Sequence, residues 1–202
     1  MMPGGIKFKH LMLVFLFTQI SLQAQNGVYT FERGLKKLNK GSYQGAIKDF
    51  TEAISYNKKY YEAYYYRGLA KIILKDLNGA LDDIGMAITI NPVFTPAYLK
   101  RAELTEVKDR NSALNDYSRV IELNDTCTAA YFRRGVIYYM QGEKHKALND
   151  INKVTILNAK VPGIFYLRGV LYKEMGRQEE ALEDFSRAIA LEPERKIGRA
   201  HV

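Results

Sequence analysis

The feature that most restricts how this chain can fold is a period of 34 residues that runs through most of its 202 positions. An arginine followed by a small residue recurs as Arg33-Gly34, Arg67-Gly68, Arg101-Ala102, Arg134-Gly135 and Arg168-Gly169, at steps of 34, 34, 33 and 34, so the third unit is one residue short. Twelve residues after the small one stands an alanine, as Ala46, Ala80, Ala147 and Ala181; in the short unit it is Ala113, eleven later. Four residues further on come Phe50, Ile84, Tyr117, Ile151 and Phe185, and three beyond those Ala53, Ala87, Val120, Val154 and Ala188. Pro92 and Pro193 close the second and fifth units.

Steps of three and four residues put side chains on one face of a helix. Each unit holds two such segments separated by a breaker: Gly41, Gly142 and Gly176, with Asn111 as the expected breaker of the third unit. The small residues in the Gly34 and Ala46 columns allow two antiparallel helices to approach closely. The pattern predicts helices over 28–40 with 43–56, 61–74 with 77–90, 95–107 with 110–123, 128–141 with 144–157, and 162–175 with 178–191. One such pair is too small to bury its apolar face, and stacking several creates a continuous core.

These columns resemble the tetratricopeptide repeat, with units at 27–60, 61–94, 95–127, 128–161 and 162–195. The resemblance implies an all-α fold, a right-handed solenoid of five tandem helix-turn-helix units over residues 27–194. Unit one departs mildly, since Thr30 replaces the aromatic that Tyr64, Tyr98, Tyr131 and Phe165 supply elsewhere. In this family the first helix of each unit lines a concave face that binds peptides. Matching positions put Phe31, Tyr65, Leu99, Phe132 and Tyr166 there, then Leu35, Leu69, Glu103, Val136 and Val170, then Leu38, Ile72, Glu106, Tyr139 and Lys173. The expected binding set is Phe31, Tyr65, Leu69, Leu99, Glu103, Glu106, Phe132, Tyr139 and Tyr166. Aromatic side chains offer large contact area at small entropic cost, although some of these rings can equally pack on the next repeat. Glu103 and Glu106 would suit a basic side chain of the partner. The cationic clamp by which some repeat proteins hold a terminal carboxylate is missing, because its leading positions carry Phe31, Leu35 and Tyr66.

Both ends stand apart from the repeats. Residues 1–24 have the layout of a secretory signal peptide: a basic start with Lys7, Lys9 and His10, the apolar run Leu11–Phe17, and small Ala24 before the expected cleavage point. The apolar run is shorter than the roughly 20 residues a membrane helix needs, so no stable membrane insertion is expected after cleavage. Residues 197–202 match one reading frame of a common sequencing adapter, and residues 196–202 are read as a probable non-native tail. The formal charge of +8 shrinks when the ends are set aside: residues 25–194 hold 25 Lys and Arg against 22 Asp and Glu, a balance of +3 with the signs interspersed. That leaves nucleic-acid binding without a basic surface to support it.

Every unit also carries an aspartate in its second helix, Asp49, Asp83, Asp116, Asp150 and Asp184, which with Arg33, Arg67, Arg101, Arg134 and Arg168 makes a ladder of opposite charges. A catalytic pair of carboxylates has to converge on one cleft, and a repeat spreads them out, so a structural role is expected. Partly exposed pairs would contribute about 0–1 kcal/mol each. The sequence leaves open whether partners lie within a unit or across units. His145 sits between Lys144 and Lys146 as a solvated side chain, and the single cysteine, Cys127, excludes both a disulfide framework and a thiolate zinc site. No cofactor, metal or catalytic residue is expected. Asn124-Asp125-Thr126 fits a glycosylation acceptor, a weak motif.

The reading is an exported, non-enzymatic scaffold, periplasmic or extracellular, that binds a protein or peptide. The alternative is the sensory or regulatory part of a longer enzyme or signalling protein. Leu182, Phe185 and Ile189 on the last helix bear on that choice, because a further helix would normally cover them.

Overall fold

The computed structural model describes residues 4–158 and 162–191; the adapter-like tail and Pro193 lie outside them. Among the described residues there are ten helices and no strand. They are α1 (Gly4–Asn39), α2 (Tyr43–Tyr56), α3 (Tyr61–Ile73), α4 (Leu77–Ile90), α5 (Thr95–Thr105), α6 (Arg110–Leu123), α7 (Thr128–Met140), α8 (Lys144–Leu157), α9 (Pro162–Glu174) and α10 (Gln178–Leu191). This is the helical solenoid class that the period implies. The chain forms two compact units, one ending at Leu104 and the other beginning at Thr105.

In the first unit α1 packs on α2, α2 on α3 and α3 on α4. Its core joins Ala53, Ile54, Ala63, Tyr64, Ile84, Ala87, Ile88 and Ala97, so the alanine columns are where helices touch. In the second unit α6 packs on α7, α7 on α8, α8 on α9 and α9 on α10. There the core is Ala147, Ile151, Val154, Ile164 and Leu171. Helix pairs close most tightly at the glycine after the repeated arginine. A Cβ placed on Gly34 would stand 2.7 Å from the Phe50 ring, and one on Gly169 2.7 Å from Phe185. Opposite Gly68 and Gly135 the facing residue is isoleucine, Ile84 and Ile151, at 3.1 Å.

The turns inside the pairs follow one design with two substitutions. Gly41, Gly142 and Gly176 have positive φ near 78°, where an L side chain is strained. In the second pair that position is Lys75, with φ 64°, and the same bonds form around it: Lys75 N–H to Ile72 O at 2.9 Å and Asp76 N–H to Lys71 O at 2.9 Å. The third turn corrects an expectation. Asn111 does not break the chain; it lies in the first turn of α6, and Asp109 starts that helix by accepting from the N–H and hydroxyl of Ser112. Asp76 caps α4 in the same way, and what the third turn lacks among the described residues is a positive-φ residue before its cap.

The first helix also differs from expectation, running from Gly4 rather than beginning near residue 28. Nothing between Ser21 and Asn26 breaks a helix, and one glycine, Gly27, is tolerated within it. Gly27, whose added Cβ would meet Tyr56 Cβ at 3.3 Å, and Thr30 are buried. Met12 and Leu22, upstream, are exposed. Among the described residues no helix is long and apolar enough to cross a membrane.

Candidate functional site

The charge ladder resolves into a repeated fork. Arg67 donates from Nε to Asp83 Oδ2 at 2.9 Å and from Nη2 to Oδ1 at 2.6 Å. Arg33 does the same to Asp49, Arg134 to Asp150 and Arg168 to Asp184. These pairs lie within one helical pair, sixteen residues apart. The remaining guanidinium nitrogen of three of these arginines reaches the preceding pair: Arg67 Nη1 to Thr51 Oγ1 at 3.1 Å, Arg134 Nη1 to Ser118 Oγ at 3.0 Å, and Arg168 Nη1 to Asn152 Oδ1 at 3.0 Å and Thr155 Oγ1 at 2.9 Å. One planar fork thus ties three helices together. The carboxylates are buried while the arginines stay partly exposed, Arg33 the most, so the pairs are more deeply seated on the acid side than the sequence implied. Arg101 stacks on Tyr98 in the first unit, and Asp116 is buried in the second.

Each arginine also lies over an aromatic ring three residues before it: Tyr64, Tyr98, Tyr131 and Phe165, at 5.3 to 5.8 Å. Unit one keeps the contact by a shift of one residue, since Arg33 lies over Tyr29 while Thr30 is buried and bonded to the carbonyls of Gly27 and Asn26. A further column, four residues after the arginine, escaped the sequence reading although its period was visible. Lys37 and Lys71 there add a second cation to Asp49 and Asp83 at 2.8 Å, while Tyr138 and Tyr172 stack on Arg134 and Arg168. Burial alone would raise the Asp49 carboxyl, but hydrogen bonds from Arg33 and Lys37 outweigh it and hold the group below its ordinary value. The Arg134 and Arg168 guanidinium groups are pushed up by their hydrogen bonds to Asp150 and Asp184.

The first-helix positions expected to bind a partner divide into two kinds. In the first unit the aromatics pack on one another. Phe31 touches Phe50, Tyr60 and Tyr66, with centroids 5.7, 4.7 and 5.8 Å away, and Tyr65 meets Phe94 edge-on at 5.1 Å. Phe31, Tyr65, Leu69 and Leu99 are all half-buried. Burial pushes the Tyr65 hydroxyl up, helped by Tyr66 and Glu103. Glu103 pairs with Lys100.

In the second unit Glu106 accepts from Tyr117 at 2.8 Å and from Arg133 at 2.9 Å. Both acids therefore already have cations of this chain beside them. Tyr139 donates to Glu174 at 2.8 Å, and Glu174 also binds Lys144 at 3.0 Å. Tyr166 stands 62% exposed on Phe185. Phe132 opens onto a pocket of about 330 Å³ whose walls include Val107, Val136, Ile137 and Met140. Arg110, Arg133 and Glu106 form its polar side. His145 is exposed, and Cys127 is a half-buried free thiol at the start of α7.

Models of the tetratricopeptide repeat match residues 31–92 and 163–195. Comparison with curated proteins returns no match. Among solved structures, MamA from Desulfovibrio magneticus RS-1, from residue 41 to its end, is similar with TM-score 0.73 and 19% identity over 85% of this chain and 97% of that one. YrrB, a TPR protein with an unusual peptide-binding site, gives TM-score 0.74 and 20% identity over 89% of this chain and 93% of its own. TTC0263, a thermophilic TPR protein of Thermus thermophilus, gives 0.54 and 23% over 84% and 93%. Likeness at this identity concerns the fold. Joined to the family matches and to the recurrent fork between helices, it supports a helical solenoid of the tetratricopeptide-repeat kind, with residues 31–92 and 163–195 matching that repeat.

Proposed function

We propose that the chain is a protein-interaction scaffold whose first-helix positions take an extended or helical segment of another protein. The observation that carries this is the pocket beside Phe132: a recess of about 330 Å³ with Val136 and Met140 on its wall and an ion pair, Arg133 with Glu106, fixed at its side. An apolar side chain entering it would be desolvated without disturbing a buried charge, the arrangement expected of an interface anchor. The likeness to YrrB, whose site binds peptide, supports the same reading.

The test is selection of peptides from a displayed library on the full chain, followed by calorimetric titration of the selected peptide. Phe132→Ala should weaken binding about tenfold or more, the equivalent of about 1.4 kcal/mol. Unchanged affinity in both Phe132→Ala and Met140→Ala, with helical content preserved, would refute the reading.

We further propose that the protein is exported, with residues 1–24 removed. Its support is the layout of that segment, a basic start, a short apolar run and small Ala24. Terminal sequencing of the mature protein from a bacterial host should begin at Gln25. Retention of Met1 in the envelope fraction would refute it.

A further inference from the structure

The outer face of α10 exposes what the internal joints bury. Ile54 in α2 and Ile88 in α4 are 4% and 9% exposed, whereas Ile189, in the same column of α10, is 68% exposed. Leu182 is 67% exposed and stands where α8 has buried Leu148. Ser186 falls in the column of Thr51, Ser118 and Asn152, the acceptors to which Arg67, Arg134 and Arg168 reach. Its hydroxyl donates to Leu182 O and keeps lone pairs to accept with.

The complementary half of that joint is on α1. Tyr29 is exposed on it where Ala63, Ala130 and Ile164, in the same column of α3, α7 and α9, are buried, and Arg33 occupies the column of the reaching arginines while its Nη2 bonds Glu52 of its own pair. α10 therefore carries the acceptor and apolar face of the recurring joint, and α1 carries the donor and its aromatic ring.

We propose that copies of this chain associate head to tail, α10 of one copy packing on α1 of the next. Leu182 and Ile189 meet Tyr29 of the neighbouring copy, and Arg33 Nη1 donates to Ser186 Oγ. The occupant is a second copy because both faces are halves of the joint already made at α2–α3, α6–α7 and α8–α9, down to the arginine and its hydroxyl acceptor. Contacts of this kind are heterologous and propagate into an open row unless rotation closes them. The proposal goes beyond segment binding and does not depend on it.

Disulfide trapping tests it on the full chain in a Cys127→Ala background. Tyr29→Cys combined with Ile189→Cys should give, under mild oxidation, a ladder of dimers, trimers and larger species on a non-reducing gel. Either substitution alone should give no cross-link, since the position it faces on the next copy carries no cysteine. Adding Leu182→Lys should remove the ladder while leaving helical content unchanged. Three results would overturn the proposal: no ladder, a cross-link confined within one chain, or a ladder indifferent to Leu182→Lys, the last meaning that the amino-terminal segment or another surface drives association.

Discussion

Arg168 grips both carboxylate oxygens of Asp184, Nε to Oδ2 at 2.6 Å and Nη2 to Oδ1 at 2.7 Å, with Asp184 2% exposed. Its guanidinium lies between the Phe165 and Tyr172 rings. Removing only one member of a buried pair leaves the other charge desolvated and unmatched. Asp184→Ala should therefore lower unfolding stability by about 3–5 kcal/mol. Replacing both residues by apolar ones of similar volume should lose much less. Urea denaturation of the three proteins measures this; equal losses for the single and double variants would mean that packing, not charge, is at stake.

Gly34 and Phe50 set a second limit. A methyl group on Gly34 would come 2.7 Å from the fully buried Phe50 ring, which cannot move aside without disturbing α2. Gly34→Ala should cost about 1–3 kcal/mol by overpacking. Adding Phe50→Leu should recover part of that loss, since the pairs that use isoleucine here, Gly68 with Ile84 and Gly135 with Ile151, leave more room. Thermal unfolding that shows simple additivity of the two changes would contradict the steric account.

Lys75 presents the opposite case, a residue that carries strain which another would relieve. Its φ of 64° is the conformation that glycine supplies in the other turns at Gly41, Gly142 and Gly176. Lys75→Gly should stabilise the protein by about 1 kcal/mol, the relief of left-handed backbone exceeding the added freedom of the unfolded chain. A lowered melting temperature would show that the aliphatic stem of Lys75 matters more than its backbone.

These three sites show what the sequence discloses. A period of 34 places helices because spacing alone determines which residues share a face; α8 and α10 occupy 144–157 and 178–191, the predicted spans. Turn chemistry was less legible, since the third turn has no positive-φ residue among the described ones and starts α6 on Asp109, ahead of the Asn111 that looked like the breaker. Burial was least legible. Phe31 and Tyr166 occupy one column, yet Phe31 is wedged among Phe50, Tyr60 and Tyr66, while Tyr166 faces solvent. That difference arises from the neighbouring helix, which no single column encodes. The columns did contain the reach of Arg67 to Thr51, a fixed interval of sixteen residues, but a hydroxyl at a helix surface carries no mark of having a partner.

The fork at Asp49 adds a pH dependence. Its carboxyl is held below the ordinary value by Arg33 and Lys37 in spite of burial. A group whose folded pKa is depressed contributes stability that is complete above the unfolded value, about 3.9 for aspartate, and is lost as pH falls through the lower folded value. Arg33, shifted upward by its hydrogen bond to Asp49, stays protonated throughout and adds no slope of its own. The stability difference between the natural protein and Asp49→Asn should thus be constant from pH 7 down to about pH 4 and shrink below it, because protonated Asp49 comes to resemble the amide. Urea midpoints for both proteins at a series of pH values would show the convergence, and a gap that stays unchanged into strong acid would mean that the charge of Asp49 contributes nothing to the fork.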